Sequence, residues 1–234
     1  MIWMAQRLAH EASGAWWLLF ALETYLAVCL LTLAVLYGLR HAGWAVEDVS
    51  LRSRWSPLVR AILLPYLALA GLVLSLARQI DREDSWNPVA AGLYIGRLPS
   101  PRERAGLVDA GVGAVLNLCW EFPRPSGMGC ESDLETAYLP LLDGSPPSDR
   151  QLREAVDRVV RWRSEGRTVL IHCAQGHGRS ATIAAVVLCR LGLASGVQDA
   201  VSMIRAARPR ARPSGPQRSA LSRFLAQSGT TAPG

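Results

Sequence analysis

Residues 168–191 read TVLIHCAQGHGRSATIAAVVLCRL, a run in which one type of secondary structure gives way to another. The apolar segment 168–172 predicts a buried β-strand. The Ala- and Val-rich segment 179–191 predicts a helix. Between them lie Gly176 and Gly178, which permit the positive φ values of a tightly curved loop. A strand that passes through such a loop into a helix is a unit of an α/β fold.

Cys173 stands at the end of the predicted strand, beneath the amino end of the predicted helix. Unpaired amides and the helix dipole favour anions there, so they favour a thiolate and bind phosphate oxygens. A soft, ionised sulfur is well suited to attack a phosphate monoester. Cys173 is therefore the candidate nucleophile.

The residues around Cys173 have the spacing that a phosphate-binding loop needs. Five residues let the backbone wrap around one phosphate group: Ala174, Gln175, Gly176, His177 and Gly178. Arg179 closes the ring with a planar guanidinium that binds two phosphate oxygens. Ser180 can donate a hydrogen bond to the sulfur and help it leave in a second step. His172 is expected to orient the loop and keep the thiolate poised.

A second candidate for catalysis lies upstream, in a loop rich in Gly and Pro. Residues 138–147 read YLPLLDGSPP, a strand that runs into a loop headed by Asp143. A carboxylic acid there can protonate the leaving oxygen and then activate water against the phosphorylated sulfur. The alternative is that Asp143 only caps the turn.

Strands and helices alternate through the C-terminal two thirds of the chain. Apolar, β-rich runs predict strands at 93–95, 114–118, 137–141 and 168–172. Amphipathic stretches with capping residues and terminal glycines predict helices at 101–110, 148–162, 179–191, 196–207 and 216–226. This order predicts an α/β fold with a mainly parallel central sheet flanked by helices.

Together these segments resemble the dual-specificity phosphatases, a family within the cysteine-based protein tyrosine phosphatase superfamily. The resemblance covers about residues 88–226 and follows the family's order: GLYIG at 92–96, GVGAVLNL at 111–118, the Asp143 loop, Cys-x5-Arg at 173–179 and ARP at 207–209. It implies a protein tyrosine phosphatase-like fold and a two-step hydrolysis through phosphocysteine, with no metal or other cofactor. It implies Cys173 as nucleophile, Arg179 as phosphate ligand and Asp143 as acid.

The excess of apolar residues is concentrated in the first third of the chain. Residues 15–39 contain one charge, Glu23, and are long enough to cross the hydrocarbon core as a helix. A second apolar run at about 58–78 contains Pro65 and Gly71, both tolerated in membrane helices. We expect residues 1–85 to form a transmembrane helical hairpin and residues 86–234 the catalytic domain, with a polar break at 81–85 between them.

Two substrate classes fit this combination of anchor and loop. The family resemblance favours proteins phosphorylated on Tyr, Ser or Thr. The anchor favours a phosphorylated phospholipid head group, and the similar mitochondrial phosphatidylglycerophosphate phosphatases use this scaffold for lipids. A non-catalytic membrane module that binds phosphorylated partners is a third reading, although such proteins usually lack the Cys, the Arg or the acid.

Four other side chains each allow two interpretations. Glu23 either contacts a partner helix or takes part in a relay or substrate contact. His177 either adds positive charge near the phosphate or points to solvent. Cys119 and Cys130 are either buried structural thiols or disulfide partners that protect Cys173.

The net charge and the cysteines bear on two questions: whether the protein binds nucleic acid, and in which cell compartment it lies. The formal net charge is +6, and the chain contains Arg but no Lys. The arginines are scattered and form no basic run interspersed with aromatic residues, so we expect no nucleic-acid binding. The five cysteines form no Cys-x-x-Cys pair, and reduced thiols suit the cytoplasm. We expect a multi-pass protein, in a bacterial inner membrane because an all-Arg composition fits a GC-rich genome, with its catalytic domain in the cytoplasm. Arginine counts beside the spans do not determine the orientation, and the pattern does not indicate an oligomeric state.

Overall fold

The computed structural model of the chain describes residues 2–42, 56–80, 83–122 and 134–229. The chain divides into two compact units, Met1–Leu72 and Val73–Gly234. The boundary between the units falls after Leu72, within the second apolar run, whereas the sequence predicts a domain boundary after residue 85. The end of that apolar run therefore belongs to the second unit. Residues 81 and 82 of the polar break at 81–85 lie outside the described residues.

The first unit is helical. Helix α1 covers Ile2–His41, α2 covers Ser56–Ile62, and α3 begins at Leu64 and continues to Ile80 in the second unit. Within α1, the 26 residues Trp16–His41 are long and apolar enough to cross a membrane. At about 1.5 Å per residue they exceed the roughly 30 Å of a hydrocarbon core. Helix α3 is shorter, at 17 residues.

Large apolar side chains cover the outside of α1. Trp16 is 72% exposed and Leu30 is 65% exposed. An apolar helix surface of this extent needs lipid or another protein to cover it. Glu23 is exposed on the same helix, so both interpretations of that residue stay predictions.

The second unit is built on a five-stranded sheet. Its strands are β1 (Trp86–Ala90), β2 (Leu93–Arg97), β3 (Val112–Cys119), β4 (Glu135–Leu141) and β5 (Thr168–Cys173), in the spatial order β1-β2-β5-β3-β4. The pairs β2–β5, β5–β3 and β3–β4 are parallel, so the predicted mainly parallel sheet is confirmed. Strand β1 pairs antiparallel with β2 and was not predicted. It holds Pro88, which an edge strand tolerates because one side of it needs no ladder hydrogen bonds.

Helices cover the sheet where the sequence predicts them. They are α4 (Arg104–Asp109), α5 (Asp149–Ser164), α6 (Arg179–Arg190), α7 (Val197–Ala207) and α8 (Gly215–Gly229). Ser148 caps α5 through a reciprocal pair of hydrogen bonds with Gln151, a capping box. Helix α6 is buried along most of its length, as its apolar composition predicts.

The topology brings three chain segments to one edge of the sheet. Because β3, β4 and β5 are mutually parallel, their carboxyl ends lie at the same edge. The strands end at Cys119, Leu141 and Cys173, and the residues that follow each one are neighbours in space. Ligand sites of open α/β sheets form in this position.

Candidate active site

Cys173 lies at the junction of the central strand β5 and the loop that leads into α6. Its side chain is buried, at 3% exposure. The backbone amide of Gly176 donates a hydrogen bond to Cys173 Sγ over 3.2 Å, and Ser180 Oγ lies 3.5 Å from the same sulfur. An amide donor aimed at the sulfur beneath a helix amino end can interact with negative charge at this position.

The curvature of the loop depends on Gly176. Its φ is +78°, a left-handed conformation that costs little only for glycine. A Cβ at this position would lie 2.5 Å from the backbone carbonyl carbon of Gly96 in β2. The loop therefore packs against β2 so closely that residue 176 has no room for a side chain.

Gly178 differs from the prediction, which gave it a positive φ. Its φ is −94°, and it stands at the amino cap of α6. A Cβ there would meet only Gln217 Oε1, at 3.8 Å. The prediction was wrong because the chain has already turned at Gly176 and enters the helical direction by residue 178.

Hydrogen bonds to its backbone carbonyls, from three directions, hold the loop in place. The amide of Leu98 donates to the carbonyl of Ala174 over 3.1 Å, and the amide of Arg212 donates to that of His177 over 2.9 Å. The buried Arg208 donates from Nη2 to the carbonyl of Gln175 over 3.1 Å. Each bond occupies a loop carbonyl, which leaves the amides to face an anion.

Arg179 is almost fully buried, at 2% side-chain exposure, and is bound by an acid that sequence reasoning missed. Its Nη1 and Nη2 donate to the two carboxylate oxygens of Glu121, over 2.7 and 2.6 Å. Burial opposes the charge of Arg179, but the hydrogen bonds and charge of Glu121 outweigh it and raise the pKa well above its ordinary value. The guanidinium is thus fixed in one orientation as a cation.

Sequence reasoning left Glu121 without a chemical role. A signal for it exists, because Glu121 follows the end of the buried strand β3, beside the strand that ends at Cys173. Nε of Arg179 makes no hydrogen bond among the described residues. That nitrogen faces the carboxylate of Asp143, whose Oδ1 lies 3.2 Å away, so a phosphate oxygen would compete with Asp143 for it.

Asp143 lies at the open side of the site, with 68% side-chain exposure. Its Oδ1 is 3.2 Å from Nε of Arg179. The loop that carries it is held on both sides, since Gln151 Nε2 donates to the carbonyl of Pro140 and Gln217 Nε2 to that of Ser145. The carboxyl group is thus placed next to the arginine, at the open side of the site.

His172 and His177 flank the loop in different environments. His172 is fully buried, and burial lowers its pKa to about 4, so the ring is neutral at neutral pH. Its Nδ1 lies 3.5 Å from the carbonyl oxygen of Cys173, consistent with a positioning role. His177 Nε2 lies 2.7 Å from the carboxylate of Glu83, so the ring neither extends freely into solvent nor stands alone beside the phosphate site.

Of the two proposed disulfide partners, Cys119 is described and Cys130 lies outside the described residues. Cys119 is fully buried at the end of β3. Burial raises the pKa of its thiol well above the ordinary value, which keeps it protonated. A buried structural thiol describes it adequately.

Comparison with known proteins identifies the family of the second unit. The profile of the family described as "PTP-SAK: Swiss Army Knife protein, DSP-PTPase phosphatase domain" matches residues 94–226. Dual specificity protein phosphatase 12 of Mus musculus is 34% identical over 128 residues, which cover 53% of this chain and 36% of that protein. Phosphatidylglycerophosphate phosphatase PTPMT1 of Arabidopsis thaliana is 32% identical over 130 residues, 53% of this chain and 38% of that protein. The match thus spans little more than a third of these relatives.

Solved structures show the same fold. The crystal structure of PTPMT1 in complex with PI(5)P aligns with a TM-score of 0.56 and 21% identity, over 64% of this chain and all of that one. The crystal structure of Tk-PTP in the active form aligns with a TM-score of 0.52 and 26% identity, over 61% and 97% of the two chains. The α/β fold inferred from the sequence is therefore that of the protein tyrosine phosphatases.

Proposed function

The chain belongs to the family of DSP-PTPase phosphatase domains, and from this membership we propose that it hydrolyses phosphate monoesters through a phosphocysteine intermediate. One observation carries the proposal: the sulfur of Cys173, the amide of Gly176 and the guanidinium of Arg179 converge at the end of one central strand. A nucleophile and phosphate-binding donors in one loop are what such a reaction requires.

In the proposed first step, the thiolate of Cys173 attacks phosphorus and forms an S–P bond. The ester P–O bond breaks, and the leaving oxygen takes a proton from the carboxyl group of Asp143. The loop amides and the guanidinium of Arg179 stabilise the negative charge on the equatorial oxygens.

In the proposed second step, the Asp143 carboxylate removes a proton from water as the water oxygen attacks phosphorus. The S–P bond breaks, inorganic phosphate leaves and the thiolate is restored. Ser180 Oγ, 3.5 Å from the sulfur, donates a hydrogen bond to the departing thiolate. No metal or other cofactor is required by this sequence of steps.

Replacement of the nucleophile tests the proposal. Cys173→Ser is expected to abolish hydrolysis of an aryl phosphate while tungstate, a phosphate analogue, still binds. Cys189→Ser, a matched change at a half-buried cysteine on α6, is expected to keep wild-type turnover. Wild-type activity in Cys173→Ser, or an equal loss in both variants, would contradict the assignment.

Two substrate classes are proposed, and each has support from a relative. Phosphorylated proteins are supported by the likeness to a dual specificity protein phosphatase. A phosphorylated phospholipid head group is supported by the likeness to phosphatidylglycerophosphate phosphatases and by the long apolar helix α1. Initial rates on phosphopeptides and lipid phosphates, measured side by side, distinguish the two.

We also propose that α1 anchors the protein in a membrane, and that α2 with the first part of α3 returns through it. The support is the apolar surface of α1 and the apolar sequence of α3. The catalytic unit is then placed in the cytoplasm of a bacterial cell, at the inner membrane, because a reactive thiolate persists where thiols stay reduced. Protease protection of the catalytic unit in sealed vesicles tests this orientation.

A further inference from the structure

A small cavity lies beside the Cys173 loop, within the second unit. Its volume is about 200 Å³. The loop contributes Gln175 and His177 to its wall, and these two side chains follow the nucleophile by two and four positions. The cavity therefore shares part of its wall with the loop that carries Cys173.

Arginine side chains supply the charged part of the cavity wall. They are Arg78, Arg97 and Arg210, and none of its described lining residues is acidic. The carboxylate of Glu83 lies next to the wall, 2.7 Å from His177 Nε2, and Arg97 is paired with Glu103 at 2.7 Å. Arg78 donates from Nη2 to the carbonyl of Leu98 over 2.7 Å. Among the described residues no carboxylate lies at ion-pair distance from Arg78, and Glu103 attracts it from farther away, so a bound anion would add a close counter-charge.

Two of these guanidinium groups also retain unused donors. Nε of Arg78 and Nη1 of Arg97 are buried and have no hydrogen-bond partner in the described parts of the chain. Buried donors are normally paired, and an arginine offers five N–H groups that match phosphate geometry. A small movement of either side chain would bring such a donor to a phosphate oxygen.

The remaining wall is apolar and comes from α3. Leu74, Ala77 and Ile80 line the cavity from the last turns of this helix. Leu74 is buried, whereas Ile80 is 78% exposed. Arginines beside an apolar helix end suit a ligand in which a phosphate is joined to hydrocarbon. An acidic peptide would leave the apolar wall without a complementary group.

We propose that this cavity binds the internal phosphodiester of an anionic phospholipid whose terminal phosphate monoester occupies the Cys173 loop. The proposal rests on the proposed function and assigns its substrate class. Sites for drug-sized molecules have roughly 300–1,000 Å³, so this smaller cavity takes one phosphate and its adjoining glycerol. The α3 wall lies before residue 94, outside the match to the family profile.

Two short-chain lipids test the proposal with the full chain in detergent. Phosphatidylglycerophosphate carries a terminal phosphate and an internal phosphodiester, whereas phosphatidic acid has similar acyl chains and a single phosphate. The measured quantity is the ratio of kcat/KM for the first lipid to kcat/KM for the second. Arg78→Gln and Arg210→Gln are each expected to lower this ratio about tenfold, as loss of one charge-assisted hydrogen bond does.

Arg150→Gln is the matched control, because Arg150 is exposed on α5 and this change removes the same charge. It is expected to leave the ratio at the wild-type value. Arg210 is exposed, so its substitution tests the cavity even if Arg78→Gln impairs folding. An equal fall in all three variants would indicate a general charge effect and overturn the proposal.

An unchanged ratio in both cavity variants overturns the proposal while the proposed function stands. A loss confined to phosphopeptide turnover also overturns it and assigns the cavity to acidic protein substrates. Failure of the wild-type chain to hydrolyse aryl phosphate, lipid or phosphopeptide is a different result, because it contradicts the proposed function itself.

Discussion

The two glycines of the Cys173 loop look equivalent in sequence and differ in the structure. A methyl group at residue 176 would overlap the backbone of Gly96, whereas one at residue 178 would lie 3.8 Å from Gln217 Oε1, an ordinary van der Waals distance. Gly176→Ala is expected to lower kcat/KM on an aryl phosphate at least about a hundredfold, because a small displacement of loop amides is that costly. Gly178→Ala is expected to stay within a few-fold of wild type.

Steady-state kinetics with matched thermal unfolding curves check this contrast. Equal activity of the two variants would show that the left-handed turn at residue 176 is not what shapes the loop. Loss of both activities with both unfolding temperatures unchanged would place the amide of residue 178 among the phosphate donors and weaken the distinction drawn from backbone angles.

His172 makes stability depend on pH in a defined direction. Burial lowers its pKa from 6.5 to about 4 in the folded chain, so the unfolded chain binds a proton where the folded chain does not. Its neutral ring therefore contributes full stability above pH 6.5, and this contribution is lost as the pH falls toward 4. The size is about 3 kcal/mol, from 1.36 kcal/mol per unit.

Urea unfolding of the full chain in detergent, followed by tryptophan fluorescence across this pH range, measures the effect. In His172→Gln, the free energy of unfolding is expected to fall less between pH 6.5 and pH 4 than in wild type. In the control His41→Gln, a change at an exposed histidine, it is expected to fall as much as in wild type. The same slope in His172→Gln as in wild type would assign the acid sensitivity to other groups.

Among single residues, the sequence pointed to candidates for the chemistry but not to the groups that hold them in place. Cys173, Arg179 and Asp143 were predicted as nucleophile, cation and acid because such residues have recognisable spacing. Glu121 was not predicted, because it lies 58 positions before Arg179 and only the parallel order of β3 and β5 brings the two together. A contact of that range has no local pattern.

At the scale of elements, the Glu121–Arg179 pair joins the end of β3 to the start of α6. Both side chains are buried, at 6% and 2% exposure. Glu121→Gln leaves the buried cation with only the exposed Asp143 as a described carboxylate partner, so the free energy of unfolding is expected to fall by about 3 kcal/mol. The activity on an aryl phosphate is expected to fall with it, because Arg179 loses its fixed orientation.

Glu165→Gln is the control for this prediction, since Glu165 pairs with Arg167 at 3.1 Å on the surface. Exposed pairs contribute less than about 1 kcal/mol, so this variant is expected to resemble wild type. Chemical unfolding of both variants provides the measurement. Equal stability of Glu121→Gln and Glu165→Gln would mean that the buried pair does not tie the two elements together.

Most elements were predicted because their patterns are local. Ser148 and Gln151 have the spacing of a capping box and so predict the start of α5, and the apolar run at 168–172 predicts the central strand. Strand β1 was not predicted, because Asn87 and Pro88 are typical of a turn. Only its pairing with β2 makes this segment a strand. Edge strands depend on a neighbour in this way, whereas buried strands are visible from composition.

At the scale of the whole molecule, α1 is expected to hold the chain in the membrane. Leu22→Arg combined with Leu30→Arg adds two charges within the apolar part of α1, each costing roughly 2.5–3.5 kcal/mol near a membrane centre. This double variant is expected to move from the membrane pellet to the supernatant on alkaline carbonate extraction. Val108→Arg, at an exposed apolar site of the catalytic unit, is expected to remain in the pellet.

Retention of the double-arginine variant in the pellet would contradict α1 as the anchor.

The length and apolar composition of a helix are visible in the sequence, so the existence of α1 was predictable. The boundary between the two units was harder to predict from the sequence. Leu74 and Arg78 lie at the end of the second apolar run, yet they line a cavity together with Arg97 and the Cys173 loop. Local hydropathy does not report which surface a helix end packs against.

Detection of a phosphocysteine shows whether Cys173 is the nucleophile. The full chain is mixed with a radiolabelled aryl phosphate, quenched in acid during turnover and digested, and the labelled peptide is identified by mass spectrometry. We predict one labelled peptide, with the phosphoryl group on the sulfur of Cys173 and no label in Cys173→Ser. Label on another residue, or turnover by the wild-type chain with no label on Cys173 at any quench time, would contradict the account.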